Sequence, residues 1–148
     1  MANLIEDGDE VVVAVNGAFG ERMADAAGRL GAQVYRVEAQ WGRIVEAELL
    51  EAALKASRRP KLLAVVHAET STGVHQPVEQ LGALAHRYGA LMVMDAVTSL
   101  GCVPVEIDRW QVDVCYSCTQ KGIGAPPGLA PVTFSEQAMQ AVRKRKQK

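Results

Sequence analysis

The segment Lys61-Leu-Leu-Ala-Val-Val-His67, the stretch Pro77-Val-Glu-Gln-Leu-Gly-Ala-Leu-Ala-His-Arg-Tyr-Gly89 and the run Ala90-Leu-Met-Val-Met-Asp95 together decide the fold. The first and third are short, continuous apolar runs, the pattern of strands buried on both faces. Between them Val78, Leu81, Leu84, Ala85 and Tyr88 recur at helical spacing. Pro77 is expected to open that helix, where its missing N–H costs nothing, and Gly89 to end it. The result is a strand, a crossover helix and a second strand, each strand covered on both sides.

The same alternation extends in both directions. Glu10 to Val15 reads as a strand, and Glu21 to Leu30 as a helix carrying Met23, Ala27 and Leu30 before Gly31. Gln33 to Glu38 is a second strand, and Val45 to Ser57 a helix with a stripe of Leu49, Leu50, Ala53 and Leu54. Val112 to Ser117 and Ala130 to Phe134 complete the strands, and Ser135 is placed to cap a last helix from Glu136. Apolar strands separated by amphipathic helices predict a three-layer α/β domain, a mostly parallel sheet with helices on both faces. Ligands of such sheets lie beyond the carboxyl ends of the strands. Phe19 follows the first strand and Thr70 the third, Asp95 ends the fourth, and Gln120 and Lys121 follow the fifth.

Lys121 and Asp95 suggest Schiff-base chemistry. Pyridoxal phosphate needs an amine to hold its aldehyde and a carboxylate to keep its pyridine nitrogen protonated. Ending the run Leu91-Met-Val-Met94 with an ionised carboxylate requires a partner, because uncompensated burial of charge costs several kcal/mol. A ring N–H is one such partner, and a backbone or helix end capped by Asp95 is the other.

Composition narrows the function classes. The 148 residues are 49% hydrophobic and 22% charged, enough for one domain with a sizeable core. Sixteen basic against 17 acidic residues leave a net charge of −1, so nothing points to nucleic acid or a membrane surface. No apolar run reaches a membrane span and no signal-like N-terminus is present, so a cytoplasmic protein is expected. Cys102, Cys115 and Cys118 form no disulfide framework. Cys115 and Cys118 have C-x-x-C spacing, but on a strand side chains three apart face opposite ways, so a shared metal is not expected. His67, His75 and His86 are expected in structural roles. Asn16-Gly-Ala-Phe-Gly20 has the wrong spacing for a dinucleotide loop, and the basic ending Arg143 to Lys148 reads as a solvated tail.

Four motifs, Asn16-Gly-Ala-Phe-Gly-Glu-Arg22, His67-Ala-Glu-Thr-Ser-Thr-Gly-Val74, Asp95-Ala-Val-Thr-Ser-Leu-Gly101 and Ser117-Cys-Thr-Gln-Lys121, resemble the class V aminotransferases in order and spacing. The similarity is to the alanine:glyoxylate (serine:pyruvate) branch and runs over nearly the whole chain. It implies a fold-type I aminotransferase large domain with pyridoxal phosphate as cofactor. By the same resemblance Lys121 is the Schiff-base lysine and Asp95 the partner of the pyridine nitrogen. Val97 packs against one ring face and Phe19, often Trp in the family, stacks on the other. Thr70 lies near the ring oxygen or phosphate, and Gln120 contacts the phosphate. The implied reaction passes an amino group from a small amino acid, serine or alanine, to a 2-oxo acid, glyoxylate or pyruvate, in a homodimer or larger assembly. Another class V chemistry, that of a phosphonate aminotransferase or cysteine desulfurase, is the neighbouring reading, and a non-catalytic interaction domain is the third. Members are more than twice this length, so residues 1–148 are expected to form a partial large domain, with the cofactor's Gly-rich phosphate turn and the substrate-gripping arginine lying outside it. The isolated piece is therefore expected to be inactive.

Overall fold

Strand and helix alternate as the apolar pattern requires. The computed structural model describes residues 1–145. In chain order the elements are β1 (Glu10–Val15), α1 (Ala18–Arg29), β2 (Gln33–Glu38), α2 (Ala47–Ala56), β3 (Pro60–Val66), β4 (Ala68–Glu69), β5 (Val74–His75), α3 (Leu81–Arg87), β6 (Leu91–Asp95), β7 (Val114–Tyr116), β8 (Val132–Phe134) and α4 (Glu136–Lys144). Six strands form one sheet in the order β2-β1-β3-β6-β7-β8, and β4 with β5 makes a separate short hairpin. Every neighbouring pair in the main sheet is parallel except β7 with β8. The mostly parallel α/β architecture expected from the sequence is the one observed.

The period-2 geometry of strands sorts the core into two layers. Val12, Ala14, Leu63, Val65, Met92 and Met94 face α2 and α3, packing with Leu50, Leu54, Leu81 and Leu84. Val11, Val13, Val15, Leu62, Ala64 and Val93 face the other way, against Met23, Ala24 and Ala27 of α1 and Ala138 of α4. These strands are buried on both faces, which is why their sequences show no polar alternation. β1 sends its connection toward β2 on one side, while β3 lies on the other. The loops after β1 and β3 therefore diverge, opening the crevice in which sheets of this kind place ligands.

The structure corrects several boundaries. α1 starts at Ala18 rather than near Glu21, because Ser71 and Glu69 supply acceptors for the N–H groups of Ala18, Phe19 and Gly20. α3 starts at Leu81, so Pro77 does not open it. The Pro77 carbonyl is occupied by the Gln76 side-chain amide, which also bonds Val45, and this holds the segment outside the helix. β7 and β8 are shorter than expected, and β7 starts late because Val112 N–H bonds the Ile107 carbonyl instead of a strand neighbour. The β4–β5 hairpin has two residues per strand, too few for a periodic signal.

Ser135 caps α4 by accepting from Ala138 N–H at 3.0 Å. Its hydroxyl also donates to Asp113, whose other oxygen accepts from Met92 N–H and contacts His86 Nε2 at 2.7 Å. Cys115 belongs to the layer packed by α2 and α3, and all three cysteines are free thiols. Among the described residues no group of three or more His, Cys, Asp or Glu side chains could hold a metal, and no helix is long and apolar enough to cross a membrane. Residues 146–148 of the basic ending lie outside the described residues.

Gly82 gives a test of the packing. Helix propensity alone favours alanine over glycine by about 1 kcal/mol. A Cβ on Gly82, however, would overlap the backbone carbonyl oxygens of Trp110 and Gln111. Gly82→Ala is expected to destabilise by about 1–3 kcal/mol in urea unfolding, the cost of an overpacked core. A gain in stability would contradict the packing of α3 on the 110–111 segment.

Candidate active site

Asp95, the last residue of β6, is 8% exposed and sits where the apolar strand reaches the cleft. Its Oδ1 accepts from Val97 N–H at 2.8 Å, and its Oδ2 accepts from the Tyr116 hydroxyl at 2.8 Å. Tyr116 is the register partner of Asp95 on β7, so the two side chains leave the sheet together. Burial raises the Asp95 pKa above its ordinary value, against the two hydrogen bonds that lower it. Burial and the Asp95 carboxylate also raise the Tyr116 phenol, keeping it protonated as a donor. The same two causes push the Cys115 thiol up to about 11. A carboxylate has about four acceptor sites, and two of Asp95's are used by protein donors. The carboxylate therefore keeps acceptor capacity where it lines the cleft.

A cleft of about 590 Å³ opens in front of Asp95 and is lined by Phe19, Val97, Tyr116, Gln120 and Lys121. Met23 and Arg22 of α1 and Cys118 of the loop after β7 complete this wall. Lys121 is exposed, and among the described residues its amine has no hydrogen-bond or ion-pair partner. Phe19 is 37% exposed, high for an aromatic ring beside a core. Five of the six residues singled out in the sequence thus share one cleft. Thr70 does not line it. Its hydroxyl bonds that of Thr98 in an adjoining hollow of about 360 Å³, which also contains Glu69 and His75.

Two residues escaped the sequence reading. Tyr116 carried a signal, since it stands opposite Asp95 once the parallel strands are in register. Glu69 carried none, because its role depends on contacts nearly fifty positions away. It is 1% exposed, and its carboxyl oxygens accept from Phe19 N–H at 3.2 and 3.3 Å, Gly20 N–H at 3.1 Å and the Ser71 hydroxyl at 2.6 Å. An acidic group is stabilised at the positive end of a helix, so Glu69 docks the start of α1, and Phe19 with it, onto the β4–β5 hairpin. Gly17 makes this possible: a Cβ there would collide with Glu69 Cγ and Cδ and with Ser71 Oγ. Below the hairpin, His67 is buried with Nε2 2.9 Å from His75 Nε2, and burial and the second imidazole hold its pKa down at about 4. His67 is therefore a neutral structural residue.

Comparisons with known proteins converge on one family. The family described as Aminotransferase class-V matches residues 1–147. Alanine–glyoxylate aminotransferase of Drosophila melanogaster is 42% identical, the match covering 100% of this chain and 38% of that protein. A solved structure of alanine–glyoxylate aminotransferase from Nostoc sp. superposes with a TM-score of 0.95 at 48% identity, over 99% of this chain and 39% of that one. Ureidoglycine–glyoxylate aminotransferase from Bacillus subtilis superposes with a TM-score of 0.94 at 34% identity, over 99% and 38%. The chain thus spans about two fifths of the length of the relatives it matches.

Asp95 has a stability signature independent of any reaction. Its folded-state pKa lies above the ordinary 3.8, so its contribution to stability is full below that value and is lost as pH rises through the raised one. Asp95→Asn removes the titration while retaining an acceptor for Val97 N–H. The variant is expected to gain stability relative to the parent between about pH 4 and pH 7 in urea titrations. A difference that shrinks over that range would mean that the carboxylate is already compensated within the chain.

Proposed function

This chain belongs to the class V aminotransferase family, and on that premise we propose that its cleft holds pyridoxal phosphate for transfer of an amino group from a small amino acid, serine or alanine, to glyoxylate or pyruvate. The observation that carries the reading is the placement of a buried carboxylate, Asp95, and an unpartnered amine, Lys121, on one cleft. The family depends on pyridoxal phosphate, and the donor set fits it: an amine for the aldehyde, a carboxylate with acceptor capacity for the ring nitrogen, and a half-exposed aromatic for the ring face. Three relatives, two alanine–glyoxylate enzymes and one ureidoglycine–glyoxylate enzyme, share glyoxylate in their names, which supports it as the acceptor.

When bound, pyridoxal phosphate supplies a conjugated ring that takes up electrons from the amino acid's Cα. Lys121 Nζ would hold the aldehyde carbon and, once released, would take the proton from the substrate Cα and deliver it to that former aldehyde carbon, C4′. Asp95 would accept the ring N–H, and its charge would keep that nitrogen protonated. Tyr116 and Val97 N–H fix the carboxylate so that no reorientation is needed during reaction. Phe19 and the Val97 side chain would flank the ring, Gln120 would take a phosphate oxygen, and the Thr70 hydroxyl, in the adjoining hollow, would serve the ring oxygen or phosphate. The apolar side chains of Leu129 and Val132, 72% and 51% exposed, favour association of this face with further protein, consistent with a homodimer or larger assembly.

Borohydride reduction of the chain mixed with pyridoxal phosphate, followed by peptide mapping, tests the assignment. Label is expected to concentrate on Lys121, and Lys121→Arg, which keeps the charge, is expected to abolish the dominant labelled peptide. Label spread over the surface lysines with none favoured would reject the reading.

A further inference from the structure

With no partner for its amine among the described residues, Lys121 is placed by its backbone alone. Two contacts locate that backbone. Gly124 N–H bonds the Lys121 carbonyl at 2.8 Å, closing a turn within the loop itself. The other contact comes from the segment that follows Asp95. A Cβ on Gly122 would lie 2.4 Å from the Leu100 carbonyl oxygen and 2.7 Å from Cys102 Sγ, and a Cβ on Gly101 would lie 2.7 Å from the Gly122 carbonyl oxygen and 2.9 Å from its carbonyl carbon. The two loops therefore meet backbone to backbone. No backbone hydrogen bond joins residues 100–102 to residues 121–123 among those described, so close approach alone sets their spacing. Gly101 also has a φ of +90°, a left-handed backbone that residues with a Cβ rarely adopt.

The segment that carries Gly101 is itself anchored beside Asp95. Leu100 N–H bonds the Ala96 carbonyl at 3.0 Å, and the Ser117 hydroxyl donates to the same carbonyl at 3.0 Å. Ala96 N–H in turn bonds the Tyr116 carbonyl at 2.9 Å. Fixed contacts thus run from the carboxylate through Ala96, Leu100 and Gly101 to Gly122, the residue after the lysine.

We propose that Gly101 is a positioning residue for Lys121: lacking a side chain, it lets the loop after β6 seat against Gly122 and so fixes the reach of the amine relative to Asp95. The assignment rests on the pyridoxal phosphate reading, in which both groups engage one rigid ring. For such a pair a misplacement of about 1 Å can cost about a hundredfold in reactivity.

Gly101→Ala, Gly101→Asn and Gly89→Ala are compared with the parent chain. Gly89 has a φ of +74°, but a Cβ there meets nothing within 4 Å, and it precedes β6 at the edge of the sheet opposite Asp95. It therefore carries the backbone strain without the contact. Asparagine tolerates the left-handed backbone better than alanine, so Gly101→Asn keeps the overlap with less strain and serves where Gly101→Ala does not fold. Two quantities are read at matched folded fraction. One is the share of borohydride-fixed pyridoxal phosphate found on Lys121 rather than on the other lysines. The other, in the ligand-free chain, is hydrogen exchange of the Gly124 N–H, which reports the Lys121 turn. Gly101 variants are expected to lower the Lys121 share by about tenfold and to speed Gly124 exchange by about tenfold, while Gly89→Ala leaves both within about twofold of the parent. Parent-like exchange in the Gly101 variants overturns the proposal. Faster exchange with an unchanged Lys121 share overturns it too, because the contact then does not place the amine. Equal losses in Gly89→Ala reduce the effect to general stability and also overturn it. A parent chain that labels its lysines indiscriminately rejects the cofactor reading alone, and Gly124 exchange still decides whether Gly101 fixes the Lys121 turn.

Discussion

The cost of placing a carboxylate at the end of a buried strand organises this domain. Asp95 continues a run whose four preceding residues are buried, and desolvation raises its pKa even with Tyr116 and Val97 N–H as donors. A charge in that position persists because the sheet places a phenol beside it in register and leaves its remaining acceptor sites facing a cleft. The strain is local. Asp95 ends β6, one strand beyond the point where β1 and β3 send their connections apart, and there it lines the cleft. Buried ionisable groups with raised pKa values cluster at functional sites for this reason: the arrangement is unfavourable until a partner arrives.

A second buried carboxylate does the opposite work. Glu69 has its partners within the chain, at the N-terminus of α1, and with Ser71 it satisfies N–H groups that helix geometry leaves unpaired. The tie joins the element carrying Phe19 to the hairpin carrying Thr70. Because Gly17 lets Glu69 pack against the backbone, the aromatic ring is held relative to Asp95 by a hydrogen-bonded link rather than by loose packing. One acid is satisfied within the chain; the other is only partly satisfied and faces the cleft. Their environments, not their residue type, separate the two roles.

Strands and sheet polarity were legible in the sequence because burial on both faces imposes continuous apolar runs, and Gln33 to Glu38 was bounded correctly even at the sheet edge. The start of α1 was not, since its cap comes from Glu69 and Ser71 across the fold. Pro77 looked like a helix opener, but its carbonyl is claimed by Gln76, a tertiary contact that local pattern does not encode. At the site, Phe19, Thr70, Asp95, Gln120 and Lys121 were gathered by the rule that ligands lie beyond strand ends, and Val97 was added by family resemblance. Thr70 was assigned to the same group, but the two-residue hairpin turns it toward Thr98 and the neighbouring hollow. Tyr116 and Glu69 went unnoticed because their significance is relational: one matters through register with Asp95, the other through its hydrogen bonds to the start of α1.

The central claim is that Asp95 reserves its charge for a cationic ring nitrogen. Nitrogen-15 resonance of ring-labelled pyridoxal phosphate bound to the chain tests it directly, at a pH where the nitrogen of the free compound is unprotonated. The account predicts a protonated ring nitrogen in the parent chain and an unprotonated one in Asp95→Asn. An unprotonated nitrogen in the parent, or the same resonance in both proteins, would contradict it.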